Sequence, residues 1–261
     1  MATYQDYLLH LADNALILGQ RNAEWCGHGP ILEEDLALAN NSLDLIGQAR
    51  LLYQHVVTVR KDGKSSEDLL AFFRDVPDFK NYTLLELPHR TAILPTASGD
   101  RDYAVTIARN FLYSALMVQV WGALAKSTDA QLAAIASKSL KEVQYHLRHA
   151  HDWVLRMGDG TDESKRRIQA AFDYLMPFTQ EFWTASEMET AAVKTGAGVD
   201  VAAFKAEWEA MVADTVQAAT LKPAASTGFV TTGKQGVHCE HLGFLLAEMQ
   251  SLARAHPEAV W

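Results

Sequence analysis

Residues 141–148, Lys-Glu-Val-Gln-Tyr-His-Leu-Arg, decide the fold, because they lie in the middle of a long helical pattern. A helix that carries Glu-x-x-His into the core of a four-helix bundle supplies part of a di-iron carboxylate site. Here His146 is present, but Val143 stands three positions before it. A second helical stretch, Asp44-Leu45-Ile46-Gly47, keeps an acid and lacks the histidine. The sequence therefore predicts a helical bundle whose metal site has lost most of its ligands.

Nearly every other segment also predicts helix, because apolar residues recur at three- and four-residue steps. Glycine and proline clusters separate these segments. The predicted helices run over 4–26, 33–59, 67–74, 100–126, 129–157, 161–183 with a break at Pro177, 187–194, 200–221 and 237–255. Since no repeat and no convincing strand pair is found, we expect one all-α domain over residues 1–261, built around an antiparallel bundle of long helices.

The composition is that of an ordinary globular protein, with 49% hydrophobic and 21% charged residues. The two cysteines, Cys26 and Cys239, lie far apart in the sequence and form no CxxC motif. This favours a reducing, cytoplasmic location over a disulfide framework. The first residues lack the basic and apolar blocks of a signal peptide. No apolar run approaches the ~20 residues that span a bilayer. A net charge of -9 argues against nucleic acid and anionic membranes as partners.

Helical phase, at ~100° per residue, predicts which side chains of each long helix face the core. In the helix from Asp129, Val143 faces inward with His146 at the edge of the same stripe, while Glu142 is turned aside and Tyr145 points away. In the second helix, the pattern predicts one buried face formed by Leu36, Asn40, Leu43, Asp44, Gly47 and Leu51. A buried Asp44 would need a partner, and a contact with His146 would satisfy both groups without a metal. We therefore favour a structural Asp44–His146 contact over a metal site.

A second group of polar residues lies near the C-terminus. His238, Glu240 and His241 resemble metal ligands, because histidines three positions apart share a helical face. No third ligand is evident nearby, so a surface or partner contact, or a hydrogen bond at the helix start, is favoured. We predict an interface that includes these three residues, Lys234 in the preceding glycine-rich loop and Trp261, whose large apolar area favours docking.

Several long motifs resemble the family of non-catalytic C subunits of the bacterial phenylacetyl-CoA epoxidase. These motifs are QRNAEWCGH at 20–28, DLALAN at 35–40, LDLIGQAR at 43–50, KEVQYHLR at 141–148 and TGKQGVHCEHLG at 232–243. The resemblance covers almost the whole chain and implies a ferritin-like fold with additional flanking helices. It also implies pairing with a homologous di-iron catalytic subunit that binds the CoA thioester. A small accessory subunit and a reductase with FAD and an iron–sulfur cluster would complete a complex that epoxidises the ring with O₂ and NADPH.

The resemblance also locates the positions that hold metal ligands in the catalytic partner. They fall on Ala15, Asp44, Gly47, Ser114, Val143 and His146. Only Asp44 and His146 could still ligate, whereas sites of this class need four carboxylates and two histidines. The resemblance thus implies that this chain binds no metal or other cofactor and has no catalytic residue.

Three hypotheses follow. The first is a structural subunit that stabilises the di-iron subunit. The second is a metal-dependent oxygenase whose metal site keeps only Asp44 and His146 as ligands. The third is a helical binding module of an unrelated pathway. The sequence leaves open a homodimer of the isolated chain.

Overall fold

The computed structural model describes residues 3–90, 101–226 and 228–259, and it divides the chain into two compact units. The first unit comprises Met1–Leu87, Ser186–Thr195 and Thr232–Trp261, and the second comprises Pro88–Ala185 and Gly196–Thr231. The described residues form helices and no strand, apart from one isolated bridge between Thr232 and Val237. The prediction of an all-α fold is confirmed, and the single domain over 1–261 stays a prediction.

The helices are numbered along the chain. The first unit contains α1 (Tyr4–Ala23), α2 (Leu32–Arg60), α3 (Glu67–Phe72), α4 (Thr83–Glu86), α9 (Glu187–Lys194) and α11 (Glu240–Ala255). The second contains α5 (Tyr103–Leu124), α6 (Ala130–Gly158), α7 (Asp162–Leu175), α8 (Gln180–Trp183) and α10 (Lys205–Ala218). Short 3₁₀ helices at Val76–Asp78, Met176–Thr179, Val201–Phe204 and Gly233–Gln235 complete the described elements.

The first unit is built on an antiparallel pair formed by α1 and α2. Thr3 and Asp6 begin α1 with a capping box, in which each side chain accepts a backbone N–H of the other residue. The helix is buried on almost every side from Tyr7 to Gly19. Near its far end, a Cβ added to Gly19 would lie 3.2 Å from Ile46 Cγ1, so the two helices approach closely. This packing leaves little space for a large side chain between α1 and α2.

The second unit contains the corresponding pair, α5 and α6. The rings of Tyr103 and Trp153 lie 5.3 Å apart between their centroids, which places the start of α5 beside the end of α6. The α6 face was predicted correctly: Val143 and His146 are buried, whereas Tyr145 is 43% exposed. Polar residues cover the other side of α6, so its hydrophobic pattern identifies the buried face.

Helix boundaries differ from the predicted ones where local backbone geometry intervenes. Pro177 breaks the predicted 161–183 helix into α7, a 3₁₀ turn and α8, as expected from its missing N–H. The last helix begins at Glu240 and not at Val237, because Val237 N donates to Thr232 O at 3.3 Å in a tight loop. No helix among the described residues has both the length and the apolar character needed to cross a membrane.

The prediction for the buried face of α2 is wrong. Leu36 and Leu43 are 56% and 68% exposed, and Asn40 is also exposed. The opposite face is buried instead, through Leu38, Asn41, Ser42, Leu45, Gln48, Ala49, Leu52, Tyr53, His55 and Val56. Leucines occur on both sides of this helix, so hydrophobic periodicity alone does not distinguish the face that packs on α1.

Candidate functional site

Three of the predicted ligand positions belong to the first unit. Ala15 is 1% exposed within α1, so its methyl group occupies a core position. Asp44 and Gly47 are half-exposed on α2 and lie away from the face that packs on α1. Apart from the backbone of α2 itself, no atom of the described residues lies within 4 Å of a Cβ added to Gly47. The prediction that Asp44 and Gly47 share a buried face is therefore corrected.

The other three positions belong to the second unit and are all buried. Ser114 on α5 is 3% exposed, and Val143 and His146 on α6 are 2% and 4% exposed. Glu142, the nearest acid on α6, is half-buried and pairs with Lys138 one turn earlier on the same helix. The helix thus directs a valine and a histidine into the core while its carboxylate is engaged in an ion pair with its neighbour. The predicted Asp44–His146 contact would join residues of different units and stays a prediction.

The C-terminal motif at 232–243 contributes to a buried polar cluster inside the first unit. His238 Nδ1 lies 2.7 Å from Glu86 Oε2, and both side chains are fully buried. His238 Nε2 donates to Phe79 O at 2.9 Å, because a carbonyl oxygen can only accept. Glu86 also accepts from Asn81 Nδ2 at 2.9 Å and from Cys239 N at 2.6 Å. The carboxylate of Glu86 therefore connects α4 to the start of α11.

The thiol of Cys239 is not an activated nucleophile. Burial raises its pKa to about 12, and the neighbouring Glu86 carboxylate adds to that rise. A thiol with such a pKa stays protonated at neutral pH, and the thiolate is the reactive form. Cys239 thus contacts Glu86 as a neutral thiol, and its backbone N–H donates to that carboxylate.

A second buried ion pair joins the same motif to α9. Lys234 Nζ lies 2.8 Å from Glu189 Oε2, and the two side chains are 4% and 6% exposed. Ser186 Oγ donates to the same carboxylate at 2.7 Å. Burial opposes ionisation of Glu189, but the electrostatic interactions with His10 and Lys234 and the hydrogen bonds from Lys234 and Ser186 outweigh it and lower its pKa. Glu189 is therefore ionised at neutral pH.

His10 on α1 lies in the same electrostatic environment and is neutral at pH 7. Burial lowers its pKa from the ordinary 6.5, and the charge of Lys234 acts in the same direction against the opposing effects of Glu189 and Asp13. Its Nδ1 donates to Lys80 O at 2.6 Å, and Asn14 Nδ2 donates to Nε2 at 3.3 Å. These partners fix the Nδ1–H tautomer.

A third buried group links α1, α2 and the residues after α3. Arg74 forms an ion pair with Asp13, whose side chain is fully buried. Tyr53 Oη donates to Asp13 Oδ1 at 2.6 Å, and Lys80 N donates to Oδ2 at 2.8 Å. Arg74 also lies over the ring of Phe79, 4.2 Å from its centroid. Every carboxylate oxygen here has a partner, so the group holds the unit together and offers no open ligand position.

Two glycines allow the C-terminal motif to cross the 77–83 segment. A Cβ added to Gly233 would lie 2.4 Å from Asn81 O. A Cβ added to Gly236 would lie 2.3 Å from Pro77 O, and the residue has φ +82°, which L side chains rarely adopt. Glycine at these positions therefore lets the loop bring Lys234 and His238 to their buried acids.

Comparison with known proteins now assigns the chain to a family. All of residues 1–261 match the family model described as phenylacetic acid catabolic protein. The chain belongs to the phenylacetic acid catabolic protein family. It is 43% identical over 255 residues to the C subunit of the 1,2-phenylacetyl-CoA epoxidase of Escherichia coli (strain K12), with 98% of each chain covered. The resemblance seen in the sequence is confirmed, and the helical structure agrees with the ferritin-like bundle it implied.

Within the described part of this family member, the side chains at the predicted ligand positions do not fit a di-iron centre. Such a centre needs carboxylates and histidines converging from four helices. Among the described residues, no group of three or more histidines, cysteines, aspartates and glutamates is arranged to hold a metal ion. The core positions Ala15, Ser114 and Val143 offer a methyl group, a hydroxyl and an isopropyl group. None of these side chains supplies the charge that two iron ions require.

The structure corrects two residues of the predicted C-terminal interface in this family member. Lys234 is buried in an ion pair with Glu189 and His238 in a hydrogen-bonded contact with Glu86, both inside the first unit, so their polar groups are not available at its surface. Glu240 is different, with a side chain that is 79% exposed, and His241 is 28% exposed. An interface role for Glu240 and His241 stays a prediction. Trp261 lies outside the described residues.

Sequence reasoning missed the acids that receive these cations. Asp13, Glu86 and Glu189 are each 4% exposed or less. Asp13 could have been noticed, because it interrupts the apolar run Leu8 to Leu18. Glu86 and Glu189 carry no such signal, since their partners are 152 and 45 residues away in the chain.

Proposed function

We propose that this chain is a structural subunit of a 1,2-phenylacetyl-CoA epoxidase, where it pairs with and stabilises a homologous di-iron catalytic subunit. Its similarity to the C subunit of the Escherichia coli enzyme supports a place in that complex. One observation supports the structural role: Ala15, Ser114 and Val143, which the resemblance places at metal-ligand positions, are buried and carry no carboxylate. The function of the chain is then an interface and not a reaction.

The buried charges of the first unit support the same proposal. Glu86, Glu189 and Asp13 are each held by a cation or an imidazole within hydrogen-bonding distance. A buried carboxylate that already has such a partner would have to exchange that partner in order to bind a metal. The chain therefore uses its buried acids to fix loops and helices against one another.

The proposal assigns the cofactors and remaining partners to other chains. The di-iron centre belongs to the homologous subunit, and FAD and the iron–sulfur cluster belong to the reductase. The complex also includes a small accessory subunit, and we place it in the cytoplasm. No step of the epoxidation is assigned to a residue of this chain.

Metal analysis and turnover test this proposal directly. The chain is produced with iron, purified alone and together with the catalytic subunit, and assayed for iron and for NADPH-dependent epoxidation. We expect iron and turnover only when the catalytic subunit is present, and a more stable catalytic subunit in the pair. A di-iron content in the isolated chain, or epoxidation by it, would overturn the proposal.

The alternative function, an oxygenase whose metal site keeps only Asp44 and His146 as ligands, has a separate test. The double substitution Asp44→Ala with His146→Ala is assayed for turnover per assembled complex. A structural role predicts unchanged turnover once assembly is normalised, with any loss confined to stability. Complete loss of turnover in a fully assembled complex would favour this alternative.

A further inference from the structure

The outward face of α2 carries a heptad pattern that leaves its leucines exposed on the described part of the first unit. Leu32, Leu36, Ala39, Leu43, Ile46 and Arg50 follow one another at alternating steps of four and three. We call these six residues the heptad seam. Steps of four and three place side chains along one line of a helix, which is the pattern of a helix that meets another helix.

The exposure of the seam distinguishes it from scattered surface leucines. Leu32, Leu36 and Leu43 are 71%, 56% and 68% exposed. Ala39 and Ile46 are half-buried, and Ile46 lies at the edge of the seam that approaches α1. A single exposed leucine is common on protein surfaces, but an aligned row of them marks an interaction site. The leucines of the seam are therefore available for a partner.

Gly47 makes the centre of this face accessible to another backbone. It lies beside Leu43 on the outward side of α2, and a Cβ added there would have no atom of the described residues within 4 Å apart from the backbone of α2 itself. A residue without a side chain at this position leaves the helix backbone open to close approach. A partner helix can insert an apolar side chain there, as knobs insert into holes in helical pairs.

The acidic side chains beside the seam favour a partner that carries basic residues. Glu33 and Asp44 lie on one border of it, about 60–80° around the helix from Leu36 at ~100° per residue. The chain as a whole has a net charge of -9. A second copy would bring the same excess of negative charge, whereas lysine or arginine on a different chain would complement the acidic border.

We propose that the heptad seam docks a helix of a different chain, with apolar residues at matching steps and basic residues facing Glu33 and Asp44. This inference rests on the proposed function, and it identifies the seam as the surface that meets the homologous oxygenase subunit. The apolar residues of the seam supply the centre of the interface, and Arg50 at the end of the seam forms part of the polar rim together with Glu33 and Asp44.

The test uses the full chain and the purified homologous subunit, with the dissociation constant measured by calorimetry. The double substitution Leu36→Glu with Leu43→Glu places charges on the seam. We expect it to weaken binding about tenfold or more, because truncated or charged interface centres typically cost that much. Leu252→Glu on α11 is the matched control, since Leu252 is also 56% exposed and lies outside the seam. It should leave binding unchanged.

A measurement on the unsubstituted chain guards against misfolding of the double variant. Hydroxyl-radical oxidation of Leu32, Leu36 and Leu43 is compared with and without the partner. The seam proposal predicts severalfold protection at these residues and none at Leu252. Equal oxidation in both states overturns the proposal, whatever the variant does.

The remaining outcomes separate the two proposals. If the unsubstituted chain binds the oxygenase subunit and Leu36→Glu/Leu43→Glu binds it equally well, the proposal that the seam is the docking surface is wrong. The proposed function then stands. If the unsubstituted chain does not bind that subunit at all, both proposals are overturned. Light scattering of the isolated chain should show a monomer. A dimer that the double substitution dissociates would assign the seam to a second copy and refute the different-chain partner.

Discussion

His238 Nδ1 lies 2.7 Å from Glu86 Oε2, although 152 residues separate them in the chain. Both side chains are fully buried, and the backbone N–H of Cys239 donates to the other oxygen of the same carboxylate at 2.6 Å. Breaking such a pair from one side leaves the remaining group buried without its partner. The contact is therefore a sensitive point of the first unit.

Substitution of Glu86 by glutamine should destabilise the protein. The amide nitrogen of glutamine cannot accept a hydrogen bond, so one donor among His238, Asn81 and Cys239 loses its acceptor. We expect the free energy of unfolding in urea to fall by about 3 kcal/mol. Glu240→Gln is the control, because that side chain is 79% exposed and its loss should cost less than about 0.5 kcal/mol. Equal effects of the two substitutions would contradict a structural role for the Glu86–His238 pair.

Lys234→Met should destabilise the protein in a pH-dependent way. Methionine keeps the unbranched shape but leaves Glu189 buried without its counter-ion, at a cost of about 3 kcal/mol at neutral pH. In the unsubstituted chain the Glu189 pKa is below its ordinary 4.5, so the pair stabilises the fold above that pH and the stabilisation is lost as the pH falls further. In the variant, burial raises the Glu189 pKa, so the difference in stability should shrink on acidification.

The double substitution Lys234→Met with Glu189→Gln provides the control for this charge effect. Removing both charges should recover a substantial part of the lost stability, because no uncompensated buried charge remains. Urea unfolding at several pH values compares the unsubstituted chain with these two variants. A double variant as unstable as Lys234→Met at neutral pH would show that shape, and not charge, sets the cost.

His10 should make the stability fall as the pH drops below about 6.5. Its folded-state pKa is lowered from 6.5 by burial, so in this range the unfolded chain binds a proton that the folded chain does not. By linkage, the free energy of unfolding then decreases with falling pH until the folded-state pKa is reached. His10→Asn retains a donor near Lys80 O and should flatten this part of the pH profile. An unchanged slope would assign the pH dependence to other groups.

Gly236→Ala should destabilise the protein more than the same substitution at Gly63. Both residues have positive φ, +82° and +65°, so both variants carry the backbone strain of about 1 kcal/mol. Only at Gly236 would the new Cβ lie 2.3 Å from Pro77 O, while at Gly63 it would meet nothing within 4 Å. The difference between the urea unfolding midpoints of Gly236→Ala and Gly63→Ala then measures the effect of the close approach to Pro77 O alone. Equal midpoints would mean that the loop relaxes freely away from Pro77.

The sequence predicted those elements whose signals are local. Thr161 caps α7, Pro177 ends its regular part, and α9 spans Glu187–Lys194 as expected. The inward positions of Val143 and His146 followed from the clear separation of polar and apolar residues on α6. Such features depend on residues within a few turns of one another and are accessible without tertiary information.

The buried face of α2 and the polar clusters depend on the tertiary fold. Leu38 and Leu45 are buried on one side of α2, and Leu36 and Leu43 are exposed on the other. Because apolar residues lie on both sides of α2, the periodicity is compatible with either side as the buried face. Lys234 and His238 looked like surface groups, because their buried acids come from distant segments. Only the folded chain shows which carboxylate each of these basic side chains contacts.

The first unit is assembled from three separate stretches of chain, and this determines the order in which it can form during synthesis. Residues up to Leu87 leave the ribosome first, but Lys234 and His238 belong to the last stretch, Thr232–Trp261. Until that stretch emerges, Glu86 and Glu189 cannot form their contacts with His238 and Lys234. The second unit ends at Thr231, so its whole sequence is available earlier. A ribosome that pauses once Thr231 has left its exit tunnel would therefore carry a second unit able to fold and a first unit that is still incomplete and exposed to chaperones and proteases.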